Sequence, residues 1–417
     1  MKWTDNLPDN IKQAINEVDE QIKPQIKKIN DQVDNNQYKV LQAFKKFNVN
    51  ETHLNGSTGY GDDDEGRDVL EDIYADVFNT EAALVRPQFV SGTHTLAVGL
   101  FGCLKPGQKL LYITGEPYDT MQEVIGTAGN GIGSLIEYGV KFKYQPLTSN
   151  GEVDYKNLAI TLKNFQPDVT VIQRSRGYDT RPSFIVAKIK KMINFIKDQG
   201  SNATIFVDNC YGEFSEEIEP TDVGADLMAG SLFKNAGGGL ALTGGYLVGK
   251  QKLIDRAATR LTAPGIGADE GATGNYLRPM IQGFFEAPTV TGNAIKGAIF
   301  ASALFEKLGF NVTPKWNEPR TDLIQTIILG SEDKMVKFAQ AIQEYSPIDS
   351  YVSPIASHQA GYEDKIVMAA GNFVQGSTIE LSADGPIRPP YAIYMQGGLT
   401  YSHVRIAVAY ACAKLLK

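Results

Sequence analysis

The stretch "GSLFKNAGGGLALTGGYLVG", residues 230–249, sets a single lysine among glycines. Lys234 is the only charged residue between Asp226 and Lys250. A lysine on a solvated helix face keeps other charges for company. This one follows an apolar run, and the glycines after it carry no Cβ and admit another group close to the backbone. The pattern predicts that something lies against this loop and that the Lys234 side chain reaches it. Upstream, "TIFVDN", residues 204–209, is a short β-rich run that ends in Asp208.

Around this pair the chain alternates strand-like and helix-like segments. "DVLEDIYADVF" and "SGTHTLAVGLFGCL" read as helices, "KLLYITG" as a strand, and "MQEVIGTAG" as helical. "FKYQPL" and "VTVIQRS" are β-rich, and "FIVAKIKKMINFIKDQG" is a helix that ends at Gly200. Such alternation predicts a mostly parallel sheet between helices. Before it, Ile11, Ile15, Val18, Ile22, Ile26, Ile29 and Val33 recur at helical spacing, with Pro24 as a predicted break or kink. This arm must bury its stripe on the body or on a partner subunit. From about residue 290 the register changes. Helices "GNAIKGAIFASALFEKLG" and "EDKMVKFAQAIQEY" alternate with strands "TDLIQTIILG", "IVMAAGNFV" and "STIELS". The expected division is a helical arm over 1–55, a large domain over 56–289 and a smaller C-terminal α/β domain over 290–417.

The 417 residues suffice for that plan. A net charge of −8 argues against a nucleic-acid surface. Three scattered cysteines make neither a disulfide framework nor a Cys-x-x-Cys site and point to a reducing cytoplasm. No window has eighteen unbroken apolar residues, and the polar start lacks the core of a signal peptide, so no membrane role is expected. The four histidines show no metal spacing, and Asp62, Asp63, Asp64 and Glu65 do not alternate as calcium ligands do, so no metal is expected.

Ligands of open parallel sheets bind outside the carboxyl ends of the strands. There the sequence places Asp208, Lys234 after "ADLMAGSLF", Tyr118 after "KLLYITG", and the helix start Ser91, Gly92, Thr93. Pyridoxal phosphate needs such a set. Its aldehyde condenses with a lysine, and its ring nitrogen stays protonated beside a carboxylate. Its phosphate suits a helix N-terminus, and its flat ring an aromatic side chain. The glycines after Lys234 are read as room for the backbone to pass close to that cofactor.

These residues resemble the fold-type-I pyridoxal-phosphate enzymes, with an aminotransferase-like fold. More narrowly, "GYGDDDEGRDVLEDIYADVF", "RPQFVSGTHTLAVGLFG", "VDNCYGEF", "SLFKNAGGGLALTGGY" and "QGFFEAPTVTGNAIKGAIFA" resemble the aluminium-resistance proteins. That is a methionine gamma-lyase-like branch near the lyases of cysteine and methionine metabolism. The resemblance implies that Lys234 holds the cofactor and moves the Cα proton, that Asp208 pairs the ring nitrogen, and that Tyr118 stacks on the ring. It implies phosphate contacts from Gly92, Thr93 and Ser231, a contribution from Tyr60 to the site of a neighbouring subunit, and a substrate carboxylate on Arg405 in "HVRIAVAYA". The chain departs from the broader lyases in having Phe233 where a threonine precedes the lysine, and Gly61 and Asp62 after Tyr60 where a Tyr-x-Arg pair stands. Thr289 replaces an expected histidine. The implied function is a carbon–sulfur lyase, acting as methionine gamma-lyase or cystathionine lyase on a sulfur-containing amino acid. The implied assembly is a homodimer or homotetramer with shared active sites. An aminotransferase, aldolase or racemase shares the same residue set, and a non-catalytic stress or metal-resistance protein on this scaffold is the remaining alternative.

Overall fold

The computed structural model describes residues 2–59, 61–179, 181–359 and 364–416. Its larger sheet has seven strands: β1 Ala82–Arg86, β2 Lys109–Tyr112, β3 Lys141–Tyr144, β4 Val169–Gln173, β5 Thr204–Asp208, β6 Leu227–Ser231 and β7 Gly245–Gly249. Their spatial order is β1-β7-β6-β5-β4-β2-β3. Pairings from β3 through β6 are parallel, whereas β7 runs antiparallel to both β6 and β1, so six strands share one direction. Six helices belong to this part: α2 Glu65–Val77, α3 Gly92–Cys103, α4 Asp119–Ile125, α5 Tyr155–Phe165, α6 Val186–Asp198 and α7 Gln251–Leu261.

Successive strand residues serve opposite cores, as the two-residue period requires. On β5, Ile205 and Val207 join the core containing Ile73 of α2, Leu158 of α5 and Ile193 of α6. Phe206 joins the other face, with Leu96 of α3, Met121 of α4 and Ile254 of α7. The fully apolar strands are thus covered on both sides, as expected. β7 was not legible in the glycine-rich run. Its Gly245 exists because a Cβ there would lie 2.1 Å from Thr95 Oγ1, where α3 presses on the strand.

The helix α1, Asp9–Lys46, packs along α8, Leu277–Lys307. Pro24 does not end it. The proline is exposed, so water can solvate the carbonyl that loses its partner. Buried Ile11, Ile15, Val18, Ile22 and Ile29 each contribute about 1.5–3 kcal/mol, which offsets the roughly 3 kcal/mol of an interior proline. The stripe is buried on the body of the same chain. Gly292 of α8 lets the helices touch, since a Cβ there would meet Val33 Cγ2 at 2.2 Å.

A second sheet of five antiparallel strands has the order β10-β11-β12-β9-β8. These are β8 Asn311–Thr313, β9 Gln325–Ile328, β10 Ile366–Ala369, β11 Ser382–Pro386 and β12 Ala392–Gln396, with helices α9 Glu332–Glu344 and α10 Tyr401–Leu415. The expected boundary at 289/290 falls inside α8, which runs unbroken through a buried Pro288. "STIELS" is not a strand before its last residue. The Thr378 N–H donates instead to the Phe233 carbonyl at 2.9 Å, so this segment is drawn onto the lysine loop. No helix among the described residues is long and apolar enough to cross a membrane.

Candidate active site

The parallel strands β4, β5 and β6 deliver their carboxyl ends side by side, with Asp208 in register with Gln173 and Ala229. Above them lies a cleft of about 590 Å³ between the two sheets. Asp208, Lys234, Tyr118 and Thr93 all line it. Gly92 and Ser231 meet beside them, where a Cβ on Gly92 would sit 3.2 Å from Ser231 Cβ and 3.5 Å from Cys210 Sγ. The ends of β2, β5 and β6 and the start of α3, which the sequence reading singled out, therefore meet at one cleft.

Lys234 follows β6 by three residues, and its Nζ lies 4.2 Å from the centroid of the Tyr211 ring. Burial works to lower its pKa, but anionic neighbours outweigh burial and raise it. Cys210 and Tyr211 are themselves held neutral by burial, so Asp208 is the anion that matters. Asp208 is nearly inaccessible; burial raises its pKa, Lys234 opposes that rise, and the Cys210 N–H donates to Asp208 Oδ1 at 3.1 Å. The two groups are buried at the same cleft and act on each other electrostatically, each favouring the other's charged form.

Tyr118 precedes the short helix α4, and burial pushes its phenol well above the usual range despite a hydrogen bond with Thr93. At α3 the Ser91 side chain accepts from the His94 N–H at 3.1 Å. Among the described residues, the N–H groups of Gly92 and Thr93 at this helix start have no acceptor. His94 itself is packed, its Nδ1 accepting from Val90 N–H at 3.2 Å.

Two expectations end differently, and a third falls on a residue that is not described. The glycines after Lys234 do not face the cleft. A Cβ on Gly238 would meet the Gly283 carbonyl oxygen of α8 at 2.1 Å, and one on Gly239 would meet Leu399 Cδ2 at 2.3 Å. They let α8 and the loop after β12 press against the lysine loop, and Gly238 has φ +58°. Arg405 is not among the cleft residues. It pairs with Asp19 of α1, and its guanidinium carbon lies 5.3 Å from the Phe300 ring centroid and 5.6 Å from that of Tyr401. The arginine in "HVRIAVAYA" thus joins α10 to the arm. Tyr60 lies outside the described residues.

Sequence reasoning missed other groups at the cleft: Tyr211, Arg176, Arg181, Arg388 and Asp384. Tyr211 carried a signal, standing three residues after Asp208 in "DNCYGEF". Its backbone has φ +70°, a conformation rare for a non-glycine residue. Beneath it, fully buried Arg174 donates to Asn209 Oδ1 at 2.7 Å, Glu219 Oε2 at 3.0 Å and Thr321 Oγ1 at 2.9 Å. Arg174 therefore fixes the turn after β5 and ties it to the segment entering the smaller sheet.

The match of residues 11–416 to the model of the methionine gamma-lyase family covers almost the whole chain. The chain belongs to the methionine gamma-lyase family. It is 52% identical over 408 residues to the uncharacterized protein YnbB of Bacillus subtilis, covering 98% of this chain and 97% of that one. A Listeria monocytogenes structure described as a "putative cystathionine beta-lyase involved in aluminum resistance" superposes with TM-score 0.95 at 51% identity, covering 97% of this chain and all of the other. A carbon–sulfur lyase involved in aluminum resistance from Clostridium novyi gives TM-score 0.94 at 46% identity, covering 98% and 96%. The fold is that of the fold-type-I pyridoxal-phosphate enzymes.

Proposed function

We propose that this methionine gamma-lyase family member is a pyridoxal-phosphate-dependent carbon–sulfur lyase acting on a sulfur-containing amino acid. The observation that carries the reading is the buried couple of Lys234 and Asp208 opening on one cleft. The residues fit the cofactor. Gly92 leaves a cradle that a Cβ would crowd, and two helix-start N–H groups and the Ser231 hydroxyl stand beside it. Lys234 would hold the aldehyde, Asp208 the ring nitrogen, Tyr118 one ring face, and Gly92, Thr93 and Ser231 the phosphate. When bound, the cofactor supplies an electron sink for negative charge developing at the substrate Cα.

The chain's own groups then handle binding and protons. Lys234 Nζ, once neutral, takes the Cα proton and can return it. Asp208, as a buried anion, holds a proton on its partner nitrogen by a charge-assisted hydrogen bond. Tyr118, kept neutral by burial, donates its phenolic proton to the departing sulfur. Arg388 is the arginine best placed to exchange partners for a substrate carboxylate. It lies at the cleft, is half exposed, and among the described residues its one ion pair is with part-exposed Asp364 at 3.0 Å. Arg181 already donates to the carbonyls of Ser175, Gln173 and Pro182, and Arg176 to Ser183 and Thr313.

Two measurements test the proposal. Borohydride reduction followed by peptide mass spectrometry should place the cofactor on Lys234. Incubation with thioether amino acids should release a thiol, ammonia and a keto acid in equal amounts. Keto acid formed only with a second keto acid as amino acceptor, and without thiol, would replace the lyase reading by an aminotransferase.

A further inference from the structure

The side of the cleft formed by the second sheet contains a carboxyl group for which the reaction above has no use. Asp384 lies on β11, directly opposite Tyr394 of β12. It is 4% exposed, yet it lines the cleft. Its Oδ2 accepts a 3.3 Å hydrogen bond from Gln396 Nε2, and its Oδ1 is buried without a hydrogen-bond partner. Among the described residues no lysine, arginine or histidine forms an ion pair with it, and the three arginines of the cleft are engaged elsewhere. Burial pushes the group up to about 7, and a hydrogen bond from the Tyr178 hydroxyl to the carboxyl opposes the rise. A carboxyl poised in this way becomes a full anion when a cation arrives, because an opposite charge favours the ionised form.

Its surroundings also suit a cation. Tyr178 and Tyr394 both line the cleft, with ring centroids 5.3 Å apart, and aromatic faces attract ammonium groups. The substrate's own α-amino group would be taken up by the cofactor aldehyde in place of Lys234, at the end of the large sheet. An ammonium read here must be a second one, carried on the far side of the sulfur.

We propose that Asp384, flanked by Tyr178 and Tyr394, is a specificity subsite for a cationic group on the leaving arm of a thioether amino acid. The subsite selects substrates whose released thiol bears an ammonium over those that release a plain alkyl thiol. This rests on the reading of the cleft as an amino-acid thioether site, and it adds which thioethers that site prefers.

The test compares S-(2-aminoethyl)-L-cysteine with S-propyl-L-cysteine, which are alike in length and differ in the terminal charge. Calorimetric titration of the cofactor-loaded, full-length protein should show the aminoethyl compound binding roughly tenfold tighter or better, the size expected of a desolvated charge pair. Asp384→Asn should bring the two affinities to near equality, and Asp384→Glu should recover part of the preference. Circular dichroism and the cofactor absorbance of each variant report whether the fold is kept. Equal affinities in the unaltered protein would overturn the proposal. So would a preference that survives in Asp384→Asn, or an equal loss for both compounds, which would make Asp384 a proton donor or a structural group. Thiol release, measured alongside, tests the lyase reading separately: binding preference without any thiol would uphold the subsite and remove the lyase.

Discussion

At the scale of single residues, Asp208 and Arg388 carry the sharpest expectations. Asp208→Asn keeps the shape and removes the buried charge that acts on Lys234 in the same cleft. Removing one partner of a buried charge pair costs roughly 3–5 kcal/mol. Most of this should fall on the transition state, so turnover at saturating cofactor should drop by on the order of a hundred- to a thousandfold, with cofactor affinity much less affected. Near-normal turnover would make the carboxylate only a cap on β5. The two arginines should separate cleanly. Arg388→Ala removes a charge-assisted contact, and KM should rise by roughly ten- to a hundredfold with little change in stability. Arg405→Ala breaks the ion pair with Asp19 and the stacking on Phe300 and Tyr401, so melting temperature should fall while KM stays put. The reverse assignment of effects would restore Arg405 to the substrate site.

At the scale of elements, the lysine loop depends on helix α8. Gly238 combines φ +58° with an approach of 2.1 Å between its would-be Cβ and the Gly283 carbonyl oxygen. Gly238→Ala should cost roughly 1–3 kcal/mol and displace Lys234, so stability and cofactor content should fall together. Retention of both would mean that the loop can shift without cost. Pro24 offers the opposite case. Pro24→Ala restores a missing N–H within exposed α1, and should raise the melting temperature without changing turnover. A fall in melting temperature would show that the stiffer proline stabilises the arm through the unfolded chain. Helix and strand types at this scale were largely legible, because apolar spacing reports which face an element buries. Three features escaped for a shared reason. β7, the full length of α8 and the irregular path of "STIELS" are decided by contacts with distant parts of the chain: Thr95 of α3 on Gly245, Gly283 against the lysine loop, and the Phe233 carbonyl.

At the scale of the whole molecule, the buried acids of the site region shape stability. Burial pushes Glu213 from the ordinary 4.5 up to about 8, with the Tyr246 hydroxyl donating to its Oε1 at 2.7 Å. Below the ordinary value both folded and unfolded chains hold the proton, and the contribution of this group is whole. As pH rises toward 8 the unfolded chain sheds a proton that the folded chain keeps, and stability falls. Glu213→Gln removes the titration and retains an acceptor for Tyr246. Denaturant unfolding at steps from pH 5 to 8 should therefore show a flatter decline in the variant than in the unaltered protein. Parallel profiles would mean that Glu213 ionises in the folded chain as it does in the unfolded one.

The sequence by itself determined the parallel sheet between helices and brought Lys234, Asp208, Tyr118, Gly92 and Thr93 to one edge, because strand ends in a parallel sheet must converge there; Ser231 came from the family resemblance. It identified the arm as a helix with a face to bury, but not the surface that takes it. Only the tertiary structure decided that Arg405 braces α10 against α1, that the glycines serve α8, and that Asp384 and Arg388 reach the cleft from the second sheet. Those outcomes depend on how two sheets and one long helix pack across gaps of tens to hundreds of residues. Local spacing carries no record of such distances, whereas a lysine after one strand and an aspartate ending its neighbour are recorded in the order of the chain itself.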